Sequence, residues 1–137
     1  MISFHGTSEL NLKKILIKID INFGGGELGM GFYSGEHLFE AKNWAWNKHK
    51  RSKSVLKLEV PDSTIDTLSI NLLDYSTANI LRSTLRNNNQ TRTYTSGHDL
   101  IWAPIVGTSK SSSDQYKWES DISENLLNSS SVIKNEI

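Results

Sequence analysis

Five glycines fall within eight residues, Gly24-Gly25-Gly26-Glu27-Leu28-Gly29-Met30-Gly31, and no other segment limits the fold as strongly. Glycine loses the most backbone entropy on ordering, so this stretch is expected to be a loop rather than a regular element. The flanking sequence is of a different kind. Before it, Ile2 to Phe4 reads as a short strand, and Leu12, Ile15, Leu16 and Ile19 recur at helical spacing behind Thr7 or Ser8 as N-cap. After it, Phe32-Tyr33 reads as a short buried strand, and Glu36 to His49 as a helix with Leu38, Ala41, Trp44 and Ala45 on one face.

Further along, Ser54 to Val60 has a β-rich pattern that stops at Pro61, whose missing N–H ends a ladder. Ile65 to Leu73 reads as strand or turn, Tyr75 to Leu85 as a helix, and the polar run Arg86 to Arg92 as a mobile loop. Leu100-Ile101-Trp102-Ala103 is an apolar run, and a loop from Ser109 to Asp114 is expected before Gln115 to Glu119. Short strands interleaved with short helices, without βαβ alternation, predict an α+β fold. At 137 residues one domain over 1–128 is expected, with 129–137 as a frayed C-terminal tail.

Composition narrows the chemistry. The 15 basic and 15 acidic residues cancel, so no global field draws the chain to nucleic acid or anionic membrane. The absence of cysteine excludes disulfides, thiolate nucleophiles and cysteine-ligated zinc. No apolar run approaches the roughly 20 residues of a membrane span, which predicts a soluble protein. Of the four histidines no pair has zinc-site spacing, so no metal is expected. The local basic run Lys48-His49-Lys50-Arg51-Ser52-Lys53 is a solvated helix end on the simplest reading, or a contact for an acidic target.

His5-Gly6-Thr7 places an imidazole, a backbone that can approach a ligand closely, and a hydroxyl within three residues. A strand end turning into a capped helix explains the same tripeptide equally well. Gly24 to Gly31 lacks the Gly-Lys-Ser/Thr ending of a P-loop, and no long parallel strand precedes it as a Rossmann fingerprint needs. What stands out is the order: His-Gly-Thr, helix, glycine segment, Gly31-Phe32-Tyr33, then a helix carrying Trp44 eleven residues after the tyrosine.

That order resembles the ADP-ribosyltransferase superfamily, in the branch that holds the poly(ADP-ribose) polymerases and small bacterial toxin domains with a Gly-x-Gly-Phe-Tyr segment. The resemblance implies a split β-sheet core with short flanking helices, and NAD⁺ as cosubstrate without metal. It assigns His5 to the NAD⁺ ribose, the Gly6 backbone and the Thr7 hydroxyl to the nicotinamide amide, and Phe32-Tyr33 with Trp44 to the nicotinamide ring. A cationic ring stacked between Tyr33 and Trp44 would gain roughly 0.5–2 kcal/mol per face.

The family's catalytic glutamate begins a late strand, and the matching position here is Gln115. An amide keeps the hydrogen bond to the ribose hydroxyl but not the charge that stabilises an oxocarbenium-like sugar. Glu119 is the obvious substitute, yet on a strand it lies roughly 13 Å away at about 3.3 Å per residue. Branches without the glutamate are generally mono-ADP-ribosyltransferases or inactive, which argues against polymer synthesis. The resemblance therefore implies a mono-ADP-ribosyltransferase of bacterial toxin or effector type, cytoplasmic or carried into a target cell by a separate secretion route. Its partners would be NAD⁺, a protein or nucleic-acid acceptor, and a cognate immunity or antitoxin protein. An NAD⁺ glycohydrolase and a non-catalytic NAD⁺ or ADP-ribose binding module are the alternatives. The arginine-rich pattern of an RNA 2′-phosphotransferase is not found.

Overall fold

The computed structural model describes residues 1–107 and 113–137. In chain order the elements are β1 (Ile2–Ser8), α1 (Glu9–Ile17), β2 (Gly25–Gly26), β3 (Gly29–Met30), β4 (Phe32–Gly35), α2 (Leu38–His49) and, after a 3₁₀ turn at Lys50–Ser52, β5 (Lys53–Glu59). There follow α3 (Asp62–Ile65), β6 (Ile70–Leu72), α4 (Tyr75–Asn87), β7 (Leu100–Pro104), β8 (Asp114–Trp118), α5 (Asp121–Leu127) and β9 (Ile133–Glu136). This is a mixed α+β fold with several sheet strands and flanking helices. The loop expected at Ser109 to Asp114 lies largely outside the described residues, and Asp114 already belongs to β8.

Two compact units share the chain. The first takes Met1–Ile19, Ser34–Thr67 and Asn125–Ile137; the second takes Asp20–Tyr33 and Leu68–Glu124.

In the first unit β1 is central. It pairs antiparallel with β5 along its full length, from Ile2 opposite Glu59 to Ser8 opposite Lys53, and Phe4 faces Gly35 on the other side. The strand is longer than its apolar start predicts, because backbone pairing to β5 carries it through His5, Gly6 and Thr7. Ser8, not Thr7, caps α1, its hydroxyl accepting the Asn11 N–H at 3.2 Å. α2 packs on β1 and β5, with Ala41, Ala45 and Val55 buried beside Phe4 and Leu38. α1 lies against β5 and β9, and Leu12, Leu56 and Leu58 are buried.

The C-terminal residues do not fray. Residues 133–136 form β9 on the edge of β5, from Leu56 opposite Glu136 to Glu59 opposite Ile133. Asn128 clasps the Ile19 backbone with two 2.8 Å bonds, Oδ1 accepting from N–H and Nδ2 donating to the carbonyl. Lys134 Nζ donates to the Ile15 carbonyl at 3.3 Å. The segment is short and polar, so periodicity hides it; its order comes from backbone pairing to a distant strand.

In the second unit β7 is flanked by β6, parallel, and β8, antiparallel, with Leu100 opposite Trp118 and Ala103 opposite Gln115. Leu28, Ala78, Ile101, Ala103 and Val106 form its core, joined by Tyr33, Leu73 and Leu81. α4 lies against β7, and Asp74 caps it by accepting the Thr77 N–H at 2.7 Å.

The glycine segment is not an irregular loop. It forms a small antiparallel hairpin, Gly25 opposite Met30 and Gly26 opposite Gly29, with Glu27 and Leu28 at the tip. The chain around Tyr94 supplies what the glycines alone cannot: Met30 N–H donates to the Tyr94 carbonyl at 2.8 Å and Gly26 N–H to the Thr91 carbonyl at 3.2 Å. Gly29 sits at φ +98°, where a Cβ would also come within 2.4 Å of the Tyr94 carbonyl oxygen.

Candidate functional site

On β1, alternation puts His5 and Thr7 on one face with Ser3, and Phe4 and Gly6 on the other, toward α2. Ser3 Oγ donates to Ser34 Oγ at 2.9 Å, both side chains buried. Thr7 is 4% exposed. Gly6 has a packing role of its own: a Cβ there would stand 2.2 Å from the Ala41 carbonyl oxygen and 3.2 Å from the Ala45 Cβ. Its lack of a side chain is what lets α2 lie so close to the sheet.

Trp44 does not share the buried stripe of α2. Ala41 and Ala45 are buried, whereas Trp44 keeps 49% of its surface exposed, with the Lys48 ammonium 4.8 Å from its ring centroid and His49 edge-on at 5.9 Å. The basic run therefore serves partly as aromatic cover, since Lys53 also lies over Trp46 at 5.0 Å.

Tyr33 is the post on which the glycine hairpin rests. Its hydroxyl donates to the Gly29 carbonyl at 2.5 Å and accepts the Leu28 N–H at 3.1 Å. Gly26 comes so near the ring that a Cβ would lie 2.8 Å from Cζ. Burial, aided by the nearby negative charge of Glu27 and Glu119 and only partly offset by the Leu28 N–H, pushes the phenol far above its ordinary value. The hydroxyl is thus a protonated structural bridge, and the ring is what it can offer a ligand. Phe32, 6% exposed, takes the opposite face of β4 by alternation.

β8 carries a polar line. Gln115 and Lys117 alternate with Tyr116 and Trp118, and Glu119 follows the strand end; all five are nearly or fully buried. Gln115 Nε2 donates to the Glu27 Oε1 at 2.5 Å and to the Pro104 carbonyl at 3.2 Å, so both amide hydrogens are engaged. Lys117 donates to the carbonyls of Leu28 (2.9 Å) and Tyr94 (3.3 Å) and pairs with Glu119. Burial holds the Lys117 ammonium below its usual range, and the Glu119 partner offsets this only in part. The other Glu119 oxygen accepts from Ser96 N–H (2.7 Å) and Oγ (2.6 Å), leaving the side chain 1% exposed. The carboxylate is thus enclosed, with Oε2 against Lys117 and Oε1 against Ser96.

Glu27 is the residue that sequence reasoning passed over. Its Oε1 also accepts the Val106 N–H at 2.9 Å, and its Oε2 lies 3.4 Å from Arg82 Nε. The signal was present: it is the one charged residue inside the glycine segment. Its direction, toward Gln115, is not readable from spacing 88 residues apart.

Among the described residues no cluster of three or more His, Asp or Glu could hold a metal ion, and no helix is long and apolar enough to cross a membrane. A surface groove bordered by Ile2, Val60, Pro61 and Ile133 contains none of the candidate residues. No family model matches the sequence, and no curated protein is significantly similar to it.

Proposed function

We propose that the chain is a mono-ADP-ribosyltransferase of toxin or effector type, with the split-sheet core that its motif order implies. The observation that carries the reading is that the residues assigned to NAD⁺ sit mostly on strands, where side chains are held firmly. His5 and Thr7 share a face of β1, Tyr33 lies in β4, and Gln115 lies on β8.

In this reading His5 orients the ribose, Thr7 and the Gly6 backbone bind the nicotinamide amide, and Tyr33 and Trp44 offer their rings to the nicotinamide. The bond between ribose C1′ and the nicotinamide nitrogen breaks, and its electron pair leaves with neutral nicotinamide. The oxocarbenium-like sugar is then captured by an oxygen or nitrogen of a macromolecular acceptor, a glycosyl transfer, or by water in a glycohydrolase. A cognate immunity protein would be the expected partner of such a toxin.

The neutral amide at Gln115 favours a second reading, a module that binds NAD⁺ or ADP-ribose without turnover. Nicotinamide release from NAD⁺ separates the two. Release above the blank supports the enzyme; calorimetric NAD⁺ binding with release at the blank supports the module. Retention of full NAD⁺ affinity by His5→Ala and Tyr33→Ala would remove the site altogether.

A further inference from the structure

We infer that Glu27 supplies the carboxylate that position 115 lacks, so that Glu27 and Gln115 act as one unit at the reacting sugar. The inference rests on the NAD⁺-cleaving reading and deepens it by assigning the negative charge.

Three other carboxylates of the second unit are engaged away from Gln115. Glu119 is sealed at 1% exposure between Lys117 and Ser96. Asp99 is held by the Ser69 N–H (2.8 Å) and the Ser120 hydroxyl (2.6 Å), and Asp114 by the Trp102 indole (2.7 Å). Glu27 joins Gln115, and its side chain keeps 16% exposure. It is also a prepared group. Two N–H donors fix Oε1, Arg82 approaches Oε2, and Gly107 leaves that oxygen room, since a Cβ there would stand 2.4 Å from it.

Position and charge together define the role. As the C1′–nitrogen bond breaks and nicotinamide leaves with the electron pair, positive charge grows on the sugar, and Glu27 stabilises it. When the acceptor O–H or N–H forms its bond to C1′, its proton passes to the Glu27 carboxylate and then to solvent. Gln115 orients the carboxylate through Nε2.

The test is Glu27→Gln, whose amide oxygen can still accept from Val106 and Gln115, so that charge is removed with little change of shape. With folding checked by thermal melting, kcat for nicotinamide release should fall about 10²- to 10³-fold while KM changes by less than about threefold. A folded Glu27→Gln with wild-type kcat overturns the inference and leaves the enzyme reading intact. Should Glu27→Gln not fold, the exchange Glu27→Gln/Gln115→Glu decides, because it keeps one carboxylate and one amide in the pair. A kcat within about tenfold of wild type supports the inference, and any larger loss in the folded exchange overturns it. Absence of release by the wild-type protein overturns the enzyme reading itself, and the inference with it.

Discussion

Lys117 and Glu119, at the end of β8, meet as an ion pair with Nζ 2.5 Å from Oε2 and side-chain exposures of 0% and 1%. The pair also ties Leu28 and Tyr94 to Ser96, so it holds the glycine hairpin against β8. Removing one partner strands the other's charge away from water. Glu119→Gln is expected to lower the unfolding free energy by about 3–5 kcal/mol, whereas Lys117→Met/Glu119→Gln, which removes both charges while the Gln oxygen still accepts from Ser96, should recover part of that loss. Urea denaturation of the two variants checks it, and equal losses would refute an electrostatic origin.

The Tyr33 hydroxyl makes stability fall in strong alkali. Its folded value is raised above the unfolded value of 10.0, so above pH 10 the unfolded chain loses a phenolic proton that the folded chain keeps. The unfolded state then binds fewer protons, and stability drops with a slope of up to about 1.4 kcal/mol per pH unit, while below pH 10 this contribution is constant. Tyr33→Phe should be less stable by about 1–3 kcal/mol at neutral pH, since the Leu28 N–H loses its acceptor, and should show a shallower alkaline decline. Denaturation midpoints from pH 8 to 11 measure both effects.

Gly6→Ala is expected to destabilise by more than the usual 1–3 kcal/mol of overpacking, because the added methyl meets backbone rather than a yielding side chain. The melting temperature should fall, and hydrogen exchange should quicken in α2. Unchanged exchange in α2 would show that the helix is not what the glycine accommodates.

Deletion of residues 129–137 should expose the edge of β5 and remove the Lys134 anchor to α1. The shortened chain should melt at lower temperature and self-associate through the uncovered strand, seen as a concentration-dependent mass in light scattering. A monomeric chain of full stability would mean that β9 contributes nothing.

Much of the element order is readable in the residues themselves. Helix α4 and strand β5 follow from local patterns, whereas the choice of Ser8 over Thr7 as cap was made by the folded backbone. The candidates His5, Tyr33 and Gln115 rest on the resemblance of their order along the chain to a known superfamily. Tertiary pairing decided the rest. The glycine segment became a hairpin because Thr91 and Tyr94 offer carbonyls to it, and the tail became β9 because β5 had an open edge. Trp44 faces solvent under Lys48, although its spacing suggested the buried stripe. Above all, the Gln115 amide donates to the Glu27 carboxylate, a contact between residues that only folding brings near. Local chemistry is set by residues close in sequence, but burial, charge partners and strand edges belong to groups far apart along the chain, and only the folded structure says which of them meet.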